Sequence, residues 1–258
     1  MLTLILQASL IILVLFTLLW IWSIIIKNVS IVDLFWGFGF VLVNAFYVFQ
    51  TGELNTRKIL LLVMVTVWGL RLSIYIAWRN IGKGEDFRYK EFRRKYGPER
   101  YWWVSFFQTF LLQGLLMMII SLPLFGVNAG AHSNALNVLD YIAVLVWLIG
   151  FAFEAGGDFQ LSRFKQNPGN KGKVLNTGFW KYTRHPNYFG DAAVWWAYAL
   201  LSLAAGSYWQ IIGSIMMTLL IIKVSGVALL EKTLNDTKPQ YKEYIQKTSS
   251  FFPWFPKK

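Results

Sequence analysis

Apolar residues in this chain run in long blocks separated by short polar segments, with no period-two alternation that would mark strands. Residues 2–26 are almost uninterrupted Leu, Ile, Val, Phe and Trp. Further blocks follow at about 30–50, 58–79, 106–125, 138–156, 190–205 and 208–230. A helix needs about 20 apolar residues to cross the hydrocarbon layer of a bilayer. Backbone polar groups cannot stay unpaired in lipid, so the blocks must be helices. The pattern predicts an all-α fold: a polytopic integral membrane protein with about seven transmembrane helices in a single membrane domain, 1–258. The first block lacks a basic n-region and a cleavage site, and so reads as a span and not a signal peptide.

Composition supports this and removes other chemistries. Of 258 residues, 56% are hydrophobic and only 15% charged, against about 25% in ordinary soluble domains. There are no cysteines, which excludes disulfide scaffolds, thiolate metal sites and cysteine nucleophiles. His185 is one of two histidines. With no second His or Cys near it, no metal site is expected.

Charge orients the spans. Segments 79–105, 157–189 and the tail after Glu231, together with Lys27, hold 21 Lys and Arg, whereas the opposite side holds Arg57 and Lys58. Positive residues collect on the cytoplasmic side. The N-terminus is therefore expected outside and the C-terminus in the cytoplasm, with the bilayer, its anionic headgroups included, as one partner. The excess also suits a phosphorylated cofactor. It would suit nucleic acid too, but no module for that is visible and none is expected as a partner.

Charges at membrane depth are costly and usually functional. Asp33 lies four residues into the second block. It reads either as an interfacial cap or as a buried acid, neutralised by Arg71 if the two are close. Trp68, Arg71, Tyr75 and Arg79 follow at spacings of three and four, on one face of the third helix. The segment from Arg79 through Glu85, Asp86, Arg88 and Tyr89 is polar and punctuated by glycine. Its groups suit ribose and phosphate, and it also suits a loop into the basic, aromatic interfacial helix expected over 91–103. The densest run is Gly178-Phe-Trp-Lys-Tyr-Thr-Arg-His-Pro-Asn-Tyr-Phe-Gly-Asp191. Pro186 should begin the sixth helix, leaving backbone donors free at its start.

The run Arg184-His-Pro-Asn-Tyr-Phe-Gly-Asp191, the upstream Gly178-Phe-Trp-Lys-Tyr182 and the tail Glu231…Tyr241-Lys-Glu-Tyr244 resemble the C-terminal half of the steroid 5α-reductase superfamily. Val32-Asp-Leu-Phe-Trp-Gly37 and Lys83-Gly-Glu-Asp-Phe-Arg-Tyr89 resemble its bacterial branch, formerly a domain of unknown function. The integral-membrane isoprenylcysteine methyltransferases share a similar Arg-His-Pro motif and tail, so the motif alone does not separate NADPH from S-adenosylmethionine. The likeness extends to the N-terminal spans, cytoplasmic cations are abundant, and the paired glutamates of the methyltransferases are replaced here by the single Glu231. These features favour NADPH.

The resemblance implies an NADPH-dependent reductase of the carbon–carbon double bond of a lipophilic enone, most closely a 3-oxo-Δ4-steroid 5α-reductase, in a bacterial inner membrane. The alternative is an S-adenosylmethionine-dependent membrane methyltransferase of the isoprenylcysteine type. It places the substrate side in spans 2–79 and the cofactor-binding half in 106–258. Trp36, Phe38 and Phe40, with Trp68, would surround the substrate, and the catalytic set would be Asp33 in the acidic role and Tyr75 or Trp68 in the aromatic one, with Asp33 or a Tyr hydroxyl polarising the carbonyl. The cofactor set would comprise Arg71, Arg79, Glu85, Asp86, Arg88, Tyr89, Glu154, Asp158, Arg163, Lys165, Lys173, Tyr182, Arg184, His185, Asn187, Asp191, Glu231, Tyr241 and Tyr244. The eukaryotic steroid reductases carry a Gln-Glu pair on the second span, and no such dipeptide occurs here.

Overall fold

The computed structural model describes residues 1–130, 135–225 and 241–257, and every regular element among them is helical. The chain divides into two compact units, residues 1–136 with 205–210 and residues 137–204 with 211–258.

In the first unit, α1 (Leu2–Ile25) buries Ala8, Ile12, Phe16, Leu19 and Ser23. Spacings of three and four put these on one stripe. Leu6, Leu10, Val14 and Leu18 on the other side are exposed, as suits contact with lipid tails. The chain then turns into a four-residue α2 (Ile31–Leu34), α3 (Trp36–Thr51) and α4 (Thr56–Asn80). Helices α3 and α4 cross at paired glycines, where a Cβ on Gly37 would lie 2.3 Å from the Gly69 carbonyl oxygen. After a turn with positive φ at Gly82 and Gly84 comes the basic α5 (Phe87–Tyr96). Gly97, at φ +80°, breaks the expected interfacial helix, and Pro98 starts α6 (Pro98–Ser105). One π-helical turn, Phe106–Leu111, joins α6 to α7 (Leu112–Ile120). The unit's last helix is α8 (Leu122–Ala129).

The second unit is built on α9 (Val138–Gln166) and α10 (Pro186–Ala204), with α11 (Ile212–Leu219) and α12 (Tyr241–Lys247). Asn137 starts α9 with a reciprocal capping box to Asp140, satisfying donors that a helix end would otherwise leave open. Helix α10 begins at Pro186, as the missing N–H of proline favours.

Four helices among the described residues are long and apolar enough to cross a bilayer: Leu2–Ile25, Thr56–Asn80, Pro98–Ile120 and Val138–Gln166. This corrects the expected count of about seven. The second block is split at Phe35, and its longer piece has 16 residues, or about 24 Å at 1.5 Å per residue, against a core of about 30 Å. The sixth block falls in α10, which spends its first turns on Pro, Asn, Tyr, Gly and Asp. Of the seventh block, an apolar helix over Trp209–Val224 is described, and 226–230 lie outside the described residues.

Candidate functional site

Two polar clusters, one in each unit, hold the predicted acidic residues other than Glu231. In the first unit the Val32–Gly37 and Lys83–Tyr89 motifs, about 50 residues apart, come together. Arg88 Nη2 donates to Asp33 Oδ2 at 2.8 Å, and the Tyr89 hydroxyl donates to Asp33 Oδ1 at 2.7 Å. Arg88 Nε also donates to Asp86 Oδ1 at 2.9 Å. Gln113 Nε2 reaches the Tyr89 hydroxyl at 3.4 Å. Asp33 thus accepts from two groups of α5, and Arg71 is not its partner; burial pushes its carboxyl above the usual range, against the Arg88 charge and the Tyr89 hydrogen bond that pull it down.

Backbone capping tightens the same knot. Glu85 accepts from the Val29 N–H at 2.8 Å, and Ser30 Oγ accepts from the Asp86 N–H at 3.1 Å. Arg93 grips Glu85 in a two-pronged contact at 2.8 and 3.0 Å, and its guanidinium lies 4.8 Å from the Tyr101 ring centroid. Burial and then the Asp33 charge push the Tyr89 phenol well above its usual range. Burial works against the charge on Asp86, but the Arg88 hydrogen bonds outweigh it and the carboxyl sits below its usual range. Burial likewise opposes the charge on Arg88, yet Asp33 and Asp86 hold it above the ordinary guanidinium range.

The predicted substrate residues form a packed row. Trp36 meets Phe40 edge-on at 5.3 Å, and Phe40 lies 5.9 Å from Trp68. Phe40 and Trp68 are wholly buried. Phe38 is exposed and packs on Phe35 at 6.2 Å, apart from that row. Tyr75 is half-buried on α4, with the Arg79 guanidinium 5.6 Å from its ring. Arg71 is half-buried between Trp68 and Tyr75 on the same face.

In the second unit α9 and α10 run side by side at very short range. A Cβ on Gly190 would stand 2.4 Å from both the Glu154 nitrogen and the Gly150 oxygen. One on Gly157 would stand 3.2 Å from the Asn187 nitrogen. Polar groups border this seam. Asn187 Nδ2 donates to Asp158 Oδ1 at 3.1 Å, and Trp147 Nε1 reaches the Tyr198 hydroxyl at 3.3 Å. Glu154 and Asp191 lie close enough to Tyr198 to interact with it electrostatically. Glu154 and Asp158 are buried and Asp191 half-buried.

The remaining predicted residues divide between a tail clasp and an outer cleft. Arg184 Nη1 donates to the Ile245 and Thr248 carbonyls, and the Tyr244 hydroxyl donates to the Trp180 carbonyl. Burial raises the Tyr244 phenol above its usual range. Tyr241 packs on Tyr244, Tyr182 on Phe255, and the buried His185 on Tyr188. Lys165 and Lys173 line a cleft of about 330 Å³ at the C-terminal end of α9. Arg163 is exposed beside it in sequence, its guanidinium 5.5 Å from the Phe159 ring. Glu231 lies outside the described residues.

The site expected from the sequence left out Gln113, Arg93, Trp147 and Tyr198. The last two carried a usable signal: Trp147 precedes Glu154, and Tyr198 follows Asp191, by seven residues. That is two helical turns, and so the same helix face. No group of three or more metal-ligating side chains stands together among the described residues.

A chain whose described elements are all helical, several of them apolar and of spanning length, fits an integral membrane protein. Residues 19–248 match the family described as "Protein of unknown function (DUF1295)", and the chain belongs to that family. It is also similar to a protein of Schizosaccharomyces pombe (strain 972 / ATCC 24843), "Uncharacterized protein C594.04c", with 25% identity over 262 residues, covering 91% of this chain and 75% of the relative. No solved structure matches it.

Proposed function

We propose that this protein is an NADPH-dependent reductase of the carbon–carbon double bond of a lipophilic enone, with a steroid-like 3-oxo-Δ4 compound as the substrate class. The reading rests on the resemblance of its motifs to the steroid 5α-reductase superfamily. The observation that carries it is the seam between α9 and α10, where Glu154, Asp158, Asn187 and Asp191 border one buried strip. Carboxylates accept from ribose hydroxyls and an amide pairs with a carboxamide, so this donor set fits the nucleoside end of such a cofactor. The cofactor supplies hydride. The chain orients the nucleotide along the seam and excludes water from it through the close helix contact.

In the first unit, Asp33 is engaged as an acceptor, so Tyr75 is the better candidate to polarise the substrate carbonyl. A phenol beside the Arg79 cation can donate to an oxygen on which negative charge develops. Tyr75→Phe should slow turnover about 10²–10⁴-fold, the usual worth of one general acid, with nucleotide affinity unchanged. Equal rates in steady-state assays would remove Tyr75 from the mechanism.

Three carboxylates on one seam also suit a sulfonium cation, which favours the second reading, an S-adenosylmethionine-dependent methyltransferase. Calorimetric titration of the purified protein separates the two. NADPH should bind, and Asn187→Ala should weaken it by about tenfold or more while the protein stays folded. Binding of S-adenosylmethionine without NADPH would overturn the reductase.

A further inference from the structure

The cleft at the C-terminal end of α9 is lined by two chemically distinct sets of side chains. Leu161, Phe164 and Leu175 supply apolar surface, and Lys165, Lys171 and Lys173 supply cations. Asn167 and Asn170 shape the loop between them: Asn167 Oδ1 accepts from the Gly169 N–H at 2.9 Å, and Asn170 Nδ2 donates to the Phe164 carbonyl at 3.0 Å. Gly172, at φ +82°, turns the chain back between Lys171 and Lys173.

The length of α9 fixes where this cleft lies relative to a bilayer. Its 29 residues extend about 43 Å, some 13 Å more than the hydrocarbon core of about 30 Å. The helix starts at Val138 with no Lys or Arg in its first turns and ends with Arg163 and Lys165. Its last two turns therefore project into the headgroup layer on the lysine-rich side. There, the apolar surface meets acyl chains and glycerol while three ammonium groups meet a phosphate. A nucleotide can use both sets, with its phosphate on the lysines and its base on Phe164, but the place of the cleft in the headgroup layer favours the lipid.

We infer that this cleft is a binding site for an anionic phospholipid of the lysine-rich leaflet, its phosphate held by Lys165, Lys171 and Lys173 and its glycerol and upper acyl chain against Leu161, Phe164 and Leu175. The inference is independent of the reductase reading. If it holds, Lys165 and Lys173 are not cofactor ligands, and the groups along the α9–α10 seam keep their proposed role.

The test uses the full-length protein released from nanodiscs into native mass spectrometry. Wild type from discs of mixed phosphatidylglycerol and phosphatidylcholine should retain phosphatidylglycerol. The triple variant Lys165→Gln, Lys171→Gln, Lys173→Gln should retain it about a hundredfold less, since each such cation near the surface is worth about a fivefold factor and the three factors multiply. The matching triple change to arginine should retain it. The control Lys90→Gln, Arg94→Gln, Lys95→Gln removes as many charges from α5 and should leave retention unchanged. Equal loss in both glutamine triples would mean diffuse attraction to a basic surface and would overturn the site, as would equal retention of phosphatidylcholine by wild type. Adenosine 2′,5′-bisphosphate provides the nucleotide arm: binding that depends on the three lysines, with no lipid preference, would assign the cleft to a nucleotide phosphate and overturn the lipid.

Discussion

Replacing Gly190 by alanine should abolish stable folding of the second unit. The added Cβ would lie 2.4 Å from the Glu154 nitrogen and 2.4 Å from the Gly150 oxygen. Both are backbone atoms of α9, so no side chain can swing aside, and the two helices would have to separate. Overpacking a core costs about 1–3 kcal/mol where side chains can adjust, and here it should exceed that range. Separation would also pull Asn187 from Asp158 and Tyr198 from Trp147. Gly114→Ala is the comparison: its Cβ would meet Ile12 at an ordinary 3.4 Å, and alanine is the better helix former by about 1 kcal/mol. Thermal unfolding in detergent should show the first variant lost or strongly destabilised and the second at or above wild type. A Gly190→Ala protein melting with wild type would mean that the helices are not this close.

Asp33→Leu should loosen the first unit, and Arg88→Leu, not Arg71→Leu, should restore most of what is lost. Breaking one side of a buried pair costs about 3–5 kcal/mol. Here the Asp33 side chain is 18% exposed and that of Arg88 38%, so solvent screening brings the expected cost to about 1–3 kcal/mol. Arg88 also keeps Asp86 as a partner, which limits the damage. Asp33→Asn should cost less than Asp33→Leu, because the amide oxygen still accepts from Arg88 or Tyr89. Under the reductase reading, Asp33→Asn should keep most of the activity, since Asp33 would be a positioning residue that docks α5 and not a proton donor. A large loss of rate in a fully stable Asp33→Asn protein would return Asp33 to the chemistry. Rescue by Arg71→Leu would show that the two charges face each other after all.

Much of the architecture was legible in one dimension. The apolar blocks require helices whatever their partners, because an unpaired backbone group in lipid is too costly. Pro186 as a helix start is local chemistry, set within a few residues. The sign of the charge on each connecting segment needs no structure either. The expected seven spans were over-read because block length was taken as helix length. The break at Phe35 shortens the second block and is not visible in average hydrophobicity, whereas α10 is long enough but spends its first turns on polar residues ahead of the apolar block.

Only the tertiary structure decided which charges pair. Asp33 has Arg71 nearer in sequence and at a plausible depth, yet the backbone turn through Gly82 and Gly84 brings α5 back, so that Arg88 and Tyr89 reach it instead. Sequence separation carries no information about such a contact, since closing a longer loop costs little additional entropy. Likewise, Arg184 is a polar residue of the densest motif and Tyr244 one of the tail, but the fold uses the contacts shown here to fasten the tail. In the sequence, Gly69 and Gly150 read only as gaps in apolar helices, and Gly37 and Gly190 only as members of motifs. That they mark where backbones touch emerges when two helices are placed side by side, because a missing Cβ acquires meaning from what fills the space.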